Sequence, residues 1–476
     1  MGYIAAVINR HGEDASHTIL EMLKTASDRT ALSYGISDHR ETENIKEPNF
    51  TSHTGSVLLA SKNIFPEKYP PEPITQNNHS LVFNGIFLDR TEEPDSLSAA
   101  EHLNKNPVEG IEEILSTRVG AYAVAAITED SILAGLDHIG TIPLYYGENR
   151  DTSALATNKK MLWRIGIEPV PLKPGKMIKI TSKETIKTQI KALGRHKSKF
   201  TTSDILHEKM DKITQRYTEK TPKATVAFSG GIDSVLIAYY LKRNDVELEL
   251  IWTGLEDQRE EIIAQNAAEH LDIKLNTETY TLREVEETLD KVITSVEEPD
   301  PVKTGIAFPF HWAAEKTRKL GYTTMYSGNG ADELFAGYMK YFNKHLKGAD
   351  PTKDIIRDVK NSYLQNFHRD TKTCLDQNIR LLLPFTHPEI IDYGLSIPIE
   401  QKLPDNRDLP RKIILRELAK KQGIPEKLAD RPKKAAQYSS GVNKALKKIA
   451  KKHDTHLKKM IMERYLKIKR EIVSRE

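Results

Sequence analysis

The sequence predicts an α+β layered domain followed by an α/β parallel-sheet domain with a helical C-terminal extension. Three observations predict it. At 476 residues the chain exceeds what one ordinary core encloses. Up to about residue 180, apolar runs of strand length alternate with polar turns. After residue 202 the pattern changes to strand, glycine turn and helix, repeated.

In the first region the runs YIAAVIN, SVLLA, SLVFNGIFL, AYAVAAIT and SILAGLDH are the strand candidates. SHTILEMLKTA, SLSAAEHL and EGIEEILS supply helices between them, an order that suits stacked sheet and helix layers. The lysine-rich stretch KITSKETIKTQIKALGRHKSKF is weakly patterned and reads as a linker. Residues 1–185 are therefore assigned to the first domain and 200–476 to the second.

The second region opens with TSDILHEKMDKITQRYTEK, a helix for which Ser203 is the N-cap candidate. ATVAFSGGIDSVLIAYYLKR, ELELIWTG, EEIIAQNAAEHL and TTMYSGNGADELFAGY then alternate strand and helix, implying parallel βαβ units with sites at the strands' carboxyl ends. Beyond residue 350 helices dominate, interrupted at Pro384, Pro388 and Pro398. A basic helical tail covers about 443–476; its bland reading is a solvated helix with lysines outward. An RNA or other anionic partner is the sharper reading, weakened because Tyr465 is the tail's one stacking aromatic.

Composition narrows the class. With 38% hydrophobic and 29% charged residues and a net charge of +3, the chain is ordinary globular material. No apolar run approaches the roughly 20 residues that span a bilayer. The N-terminus lacks an export signal, and Gly2 with Ala6 does not match a myristoylation site, so a cytoplasmic enzyme is expected. One cysteine, Cys374, excludes a disulfide framework or a cysteine-rich metal site. His311, His368 and His387 lack metal-ligand spacing, and Trp163, Trp252 and Trp312 read as packing.

The strongest chemical signal is Ser229-Gly230-Gly231-Ile232-Asp233-Ser234, set between a short apolar strand and an amphipathic helix. Paired glycines bring backbone N–H groups close to an anion, and the helix N-terminus adds partial positive charge. Asp233 beside a phosphate calls for a cation between them, which points to Mg²⁺. The bland alternative is a turn that only joins strand to helix. Ser327-Gly328-Asn329-Gly330-Ala331-Asp332-Glu333 repeats the strand, glycine turn and acid. Two such turns at neighbouring strand ends would face one crevice and let Asp233 and Asp332 share the metal.

SGGIDS with SGNGADELFAGY resembles the synthetase domain of class B asparagine synthetases and the related β-lactam synthetases, and the similarity runs through nearly the whole chain. The resemblance implies a PP-loop (adenine nucleotide α-hydrolase-like) domain. There a substrate carboxylate attacks the ATP α-phosphate, and an amine then displaces AMP. It implies that Ser229, Gly230, Gly231, Asp233 and Ser234 bind the pyrophosphate part of ATP. Phe228, Thr253, Ser327 and Gly328 would line the adenosine site. Glu297, Asp300, Asn329 and Glu333 would lie at the substrate, and Asp233 and Asp332 would act in catalysis through Mg²⁺. RPKKAAQYSSG resembles the late lysine loop, so Lys434, or its neighbour Lys433, would offset charge on the departing pyrophosphate. Asn329 stands where bacterial synthetases often carry Glu and β-lactam enzymes Tyr; it donates a hydrogen bond but is no general base. PFTHPEIIDY replaces the commoner PFLD pattern.

The first half resembles the family's class II glutaminase domain, an Ntn-type αββα sandwich, in degenerate form. That chemistry needs a cysteine after the initiator Met, and this chain has Gly2. DRTALSYGI lines up with HRGPDxxG, keeping Arg29 and Gly35 but substituting Thr30, Ala31 and Leu32. Asn84-Gly85 keeps the oxyanion-type pair and Asp95 matches a glutamine-binding acid. The expectation is an ATP- and Mg²⁺-dependent amide ligase without glutaminase activity, acting on a carboxylate, aspartate first, with ammonia or an amine. Its partners would include a second copy of the chain or a separate glutaminase. The alternatives are β-lactam-synthetase-like ring closure, a PP-loop enzyme modifying tRNA, and a non-catalytic ATP-binding scaffold.

Overall fold

A computed structural model of the chain describes residues 2–26, 33–63, 70–89, 93–104, 106–194, 200–432 and 436–474. Contacts divide the chain into two units, residues 1–193 with 466–476, and residues 194–465. The sequence places the division at 185–200 and gives the whole tail to the second region. The difference is the tail's last residues, which cluster with the first unit.

The first unit carries β1 (Gly2–Asn9), β2 (Ser33–Ser37), β3 (Thr42–Ile45), β4 (Val57–Asn63), β5 (Ile74–Gln76), β6 (His79–Phe87), β7 (Gly120–Ile127) and β8 (Ser131–Leu136). It continues with β9 (Tyr145–Glu148), β10 (Thr152–Ala156), β11 (Val170–Pro171), β12 (Lys176–Thr181) and β13 (Thr185–Gln189). Among the described residues these form a seven-stranded sheet, order β11-β9-β10-β1-β4-β2-β3, and a six-stranded sheet, order β13-β12-β8-β7-β6-β5. Their facing sides share one core, including Ile4, Ala6, Leu59, Val82, Ala123, Ile132 and Leu155. Helices α1 (Ser16–Ala26) and α4 (Lys159–Arg164) cover the first sheet, and α2 (Asp95–Glu101) and α3 (Pro107–Thr117) cover the second. The result is the expected αββα sandwich. The central strands read as continuous apolar runs because they are buried on both faces, by the other sheet and by a helix.

The linker reading began too early. Thr185–Gln189 is an edge strand paired with β12, register Ile178↔Lys187. Its outer face is solvated, so lysines and threonines stand where a buried strand would be apolar.

The second unit begins with α5 (Ser203–Lys220), whose cap is Thr202 rather than Ser203: the Thr202 side chain accepts from Ile205 N, while Ser203 Oγ donates to Glu417. Then follow β14 (Lys223–Ala227), α6 (Ile232–Arg243), β15 (Glu247–Leu255), α7 (Arg259–Leu271), β16 (Leu275–Tyr280), α8 (Leu282–Val296), α9 (Pro301–Lys319), β17 (Thr324–Tyr326) and α10 (Ala331–Leu334). With β18 (Arg380–Leu382) the strands make a parallel five-stranded sheet, order β16-β15-β14-β17-β18. The chain runs outward from β14 to β16, then returns to the other side of β14. Strand order therefore reverses between β14 and β17, and that reversal opens a crevice at their carboxyl ends. Helices occupy most of the chain beyond residue 350, as expected, but β18 completes the sheet.

The tail is only partly a solvated helix. Val442–Lys452 buries Val442, Ala445, Leu446 and Ile449 with its lysines outward. In the last helix, Leu457–Ser474, Lys469 lies 4.8 Å from the Trp163 ring centroid and 3.0 Å from Glu168.

Candidate active site

A cavity of about 250 Å³ lies at the reversal point of the parallel sheet. The two strands flanking the reversal, β14 and β17, each end in a glycine turn. After β14, Phe228 N donates to Ile251 O at 2.8 Å, and the chain turns through Gly230 at φ +66° into α6. After β17, Ser327 N donates to Leu382 O at 3.1 Å, and Gly330 turns at φ +95° into α10. The two loops touch at Gly328, where an added Cβ would stand 2.7 Å from the Cβ of Asp233. Phe228, Ser229, Gly231, Asp233, Ser234, Thr253, Ser327 and Gly328 line the cavity; Gly230, also expected at the nucleotide, makes the turn but is not among the lining residues.

Asp233 and Asp332 converge on one point, and a lysine occupies it. Lys412 Nζ lies 2.6 Å from both carboxylate oxygens of Asp233 and 2.7 Å from Asp332 Oδ1. Lys412 is fully buried, while both aspartates keep about a fifth of their side chains exposed to the cavity. Burial pushes the ammonium's pKa down, against the pull of Asp233. Arg411, Arg416 and Arg431 line the same wall. Arg416 donates to the carbonyls of Ala429 and Arg431, which fixes it as a clamp on that turn. Among the described residues the Arg411 guanidinium has neither a hydrogen bond nor an ion pair, and burial alone lowers its pKa.

The cavity is also lined by Asn329, Glu333, Tyr338, Asn366 and Arg369. Tyr338 OH and Asn366 Nδ2 each donate to Glu333 Oε1 at 2.5 Å. Burial raises the Glu333 pKa, and the Tyr338 hydroxyl opposes the rise. Arg369 grips Asp370 with two bonds, at 2.7 and 2.8 Å, and Asn329 Nδ2 donates to Asp370 Oδ2 at 2.6 Å.

A family model described as asparagine synthase matches residues 206–381 and 355–473. The chain belongs to that family. It is 27% identical over 543 aligned positions to "Putative asparagine synthetase (glutamine-hydrolyzing) 1" of Methanocaldococcus jannaschii, covering 99% of each chain. To the glutamine-hydrolysing asparagine synthetase of Homo sapiens it is 29% identical over 222 positions, 45% of this chain and 39% of that one. Among solved structures, a glutamine phosphoribosylpyrophosphate amidotransferase from B. subtilis aligns at a TM-score of 0.36 and 15% identity, covering 68% of this chain and 80% of that one. Membership of the asparagine synthase family implies an ATP-dependent ligase.

Several expected residues stand elsewhere. Glu297 is buried against Lys372 at 2.7 Å, and Asp300 is the N-cap of α9, accepting from Val302 N and Lys303 N. Neither is among the residues lining the cavity, and Asp300 before Pro301 marks the start of a helix. Asn329 lines the wall with both ends of its amide engaged, Oδ1 accepting from Ser327 Oγ and Nδ2 donating to Asp370. Lys433 and Lys434 lie outside the described residues, as do Arg29, Thr30, Ala31 and Leu32. In the first unit Gly2 pairs with Asn63 in the larger sheet, while Asn84 and Gly85 sit on β6 of the other. Asp95 Oδ2 accepts from Phe87 N at 3.0 Å, a backbone anchor at the start of α2. Sequence reasoning missed Lys412, Arg411 and Glu333's partners. A usable signal was present in PRKIILREL, three cations on a short helix start with no acid before Glu417.

Proposed function

We propose that the chain is an AMP- and pyrophosphate-forming amide ligase that adenylates a carboxylate, with aspartate as the first candidate, and passes ammonia or an amine to it. The observation that carries this reading is the meeting of both glycine turns in one cavity, with Asp233 and Asp332 aimed at a single cation position. In the first step a carboxylate oxygen bonds the α-phosphorus while the bond to the bridging oxygen breaks and pyrophosphate leaves. In the second an amine bonds the acyl carbon, loses a proton, and AMP departs.

The chain's own groups suit these tasks. N–H groups at the start of α6 face the cavity without intrahelical partners and favour phosphate oxygens. Magnesium fits the donor set, since hard carboxylate oxygens already hold an ammonium there, and bound between Asp233 and Asp332 it would neutralise phosphate charge. Arg411 is a preorganised donor for the charge that develops on the departing pyrophosphate. Glu333, oriented by Tyr338 and Asn366, offers a carboxylate to a substrate ammonium.

Glutamine hydrolysis is not part of the proposal. Gly2 has no nucleophile, and Cys374, the one cysteine, is buried in the second unit with its thiol pKa pushed well up. The test is ATP–pyrophosphate exchange with Mg²⁺ across candidate carboxylates, on wild type and Asp233→Ala. Exchange with aspartate that the substitution abolishes, with amide formed from ammonia but not glutamine, supports the reading. Exchange with no carboxylate overturns it.

A further inference from the structure

We propose that Lys412 is a stand-in cation: in the nucleotide-free protein its ammonium holds the position a divalent metal takes, and metal must displace it from Asp233 and Asp332. The inference rests on the reading of those two aspartates as metal ligands.

The geometry is that of a cation site already filled. Three carboxylate oxygens from two loops far apart in sequence lie 2.6–2.7 Å from one nitrogen. That nitrogen is delivered by a strained backbone: Lys412 adopts φ +64°, a left-handed conformation costly for a lysine, at the N-cap of the helix Ile413–Lys421. Lys412 N donates to Lys402 O at 2.7 Å, and Ile413 N shares that acceptor at 3.2 Å, so the turn is pinned. The opposite side is equally close. A Cβ at Gly337 would collide with Asp332 Oδ1 and the Lys412 Cε, so the chain passes directly over the pair. Strain, pinning and a bare glycine together hold one ammonium between two carboxylates.

Charge then predicts how the site behaves. Two carboxylates and one ammonium leave a net charge of −1, and a dication in place of the ammonium would bring it to zero. An expelled ammonium, however, enters a wall already carrying Arg411 and Arg416, with Arg431 3.9 Å from Glu260. Without an anion there, expulsion is opposed by like charge. With a triphosphate in the cavity, the ammonium gains a phosphate partner as it releases the aspartates. Lys412 therefore couples the metal to the nucleotide: free metal binds poorly, and metal binds well with nucleotide present. The coupling is reciprocal, because linkage requires it.

The experiment titrates Mn²⁺ by electron paramagnetic resonance into the full chain, with and without a non-hydrolysable ATP analogue. Wild type, Lys412→Met and Lys412→Met with Asp233→Asn are compared. Expected is at least a tenfold gain in nucleotide-free Mn²⁺ affinity for K412M, lost again in the double variant. Equal nucleotide-free affinity in wild type and K412M, with tight binding once the analogue is added, overturns the stand-in role and leaves the metal-ligand reading intact. No Mn²⁺ binding by wild type even with the analogue sinks that reading and the inference with it. Should K412M unfold, Lys412→Gln, whose amide still donates to one aspartate, is assayed by melting temperature. Mg²⁺ alone should raise its melting temperature and leave wild type unmoved, by binding the native state selectively; equal shifts overturn the proposal.

Discussion

Asn329 donates its Nδ2 to Asp370 Oδ2 at 2.6 Å, and its carbonyl oxygen accepts from Ser327 Oγ at 3.1 Å. Both ends of the amide are engaged, so Asn329 orients the cavity wall and keeps the buried Asp370 supplied with a donor alongside Arg369. Asn329→Asp would set a carboxylate against Asp370, and one of the two must then hold a proton. The folded pKa of that carboxyl lies above its unfolded value, so the variant keeps its stability at low pH and loses it as pH rises through the folded pKa. The stability deficit relative to wild type should grow by about 2 kcal/mol between pH 5 and pH 8, of the order of a buried charge left without its donor. Chemical denaturation at both pH values measures it; a deficit independent of pH refutes the pairing.

What was legible follows from how locally each feature is encoded. The SGGIDS turn is dictated by its own residues, since Gly230 needs positive φ and the flanking runs fix strand and helix. The second turn is encoded the same way, and the reversal of strand order at β14 follows once both are strand ends. Lys412 was legible only as one of three cations in PRKIILREL; its task was not, because it meets Asp233 across 179 residues and is set by tertiary contact. The pairing of Glu297 with Lys372 was illegible for the related reason that an acid beside a cleft motif and an acid paired across the fold look identical in sequence. The N-cap contacts of Asp300 had a local signature, Asp before Pro at a helix start. The β13 edge strand read as linker because a solvated strand carries no apolar alternation.

Lys402 makes stability depend on pH. It is 2% exposed, and burial pushes its pKa down to about 7, only partly offset by Asp350. Between about pH 7 and 10.5 the unfolded chain binds a proton that the folded chain does not. Stability therefore rises with pH across that window and carries the full cost of the buried amine below pH 7. Lys402→Met keeps the backbone carbonyl that anchors Lys412 and removes the amine. It should stabilise the protein by about 1–3 kcal/mol at pH 7 and flatten the curve above it. Denaturant midpoints that track wild type at every pH would refute this.

Arg411 and Arg416 are adjacent cations with different tasks. Arg416 holds the carbonyls of Arg411, Ala429 and Arg431, whereas the Arg411 guanidinium has no hydrogen bond or ion pair among the described residues. Truncating a charge that waits for a ligand costs binding and rate, while truncating a clamp costs the fold. Arg411→Ala should lower kcat/KM for ATP by about 100–1000-fold with a nearly unchanged melting temperature, the scale expected for one lost donor. Arg416→Ala should lower the melting temperature first. Steady-state kinetics and calorimetry on both variants decide the matter, and a reversed pattern rejects the assignment.

Glu297 and Lys372 test whether an acid read as a substrate ligand is a structural partner. Their side chains are each 1% exposed and 2.7 Å apart, and Lys372 Nζ also donates to Val296 O at 3.0 Å. Removing one member of a buried pair leaves the other charge desolvated, which costs about 3–5 kcal/mol, whereas replacing both with apolar residues of similar size costs far less. Glu297→Met alone should therefore be strongly destabilising, and adding Lys372→Met should recover much of the loss. The double variant should retain the wild-type KM for the carboxylate substrate, because Glu297 is not among the residues lining the cavity. Denaturation of the three variants gives the coupling energy, and kinetics on the double variant gives the KM. A stable double variant with a KM raised tenfold or more would return Glu297 to the substrate.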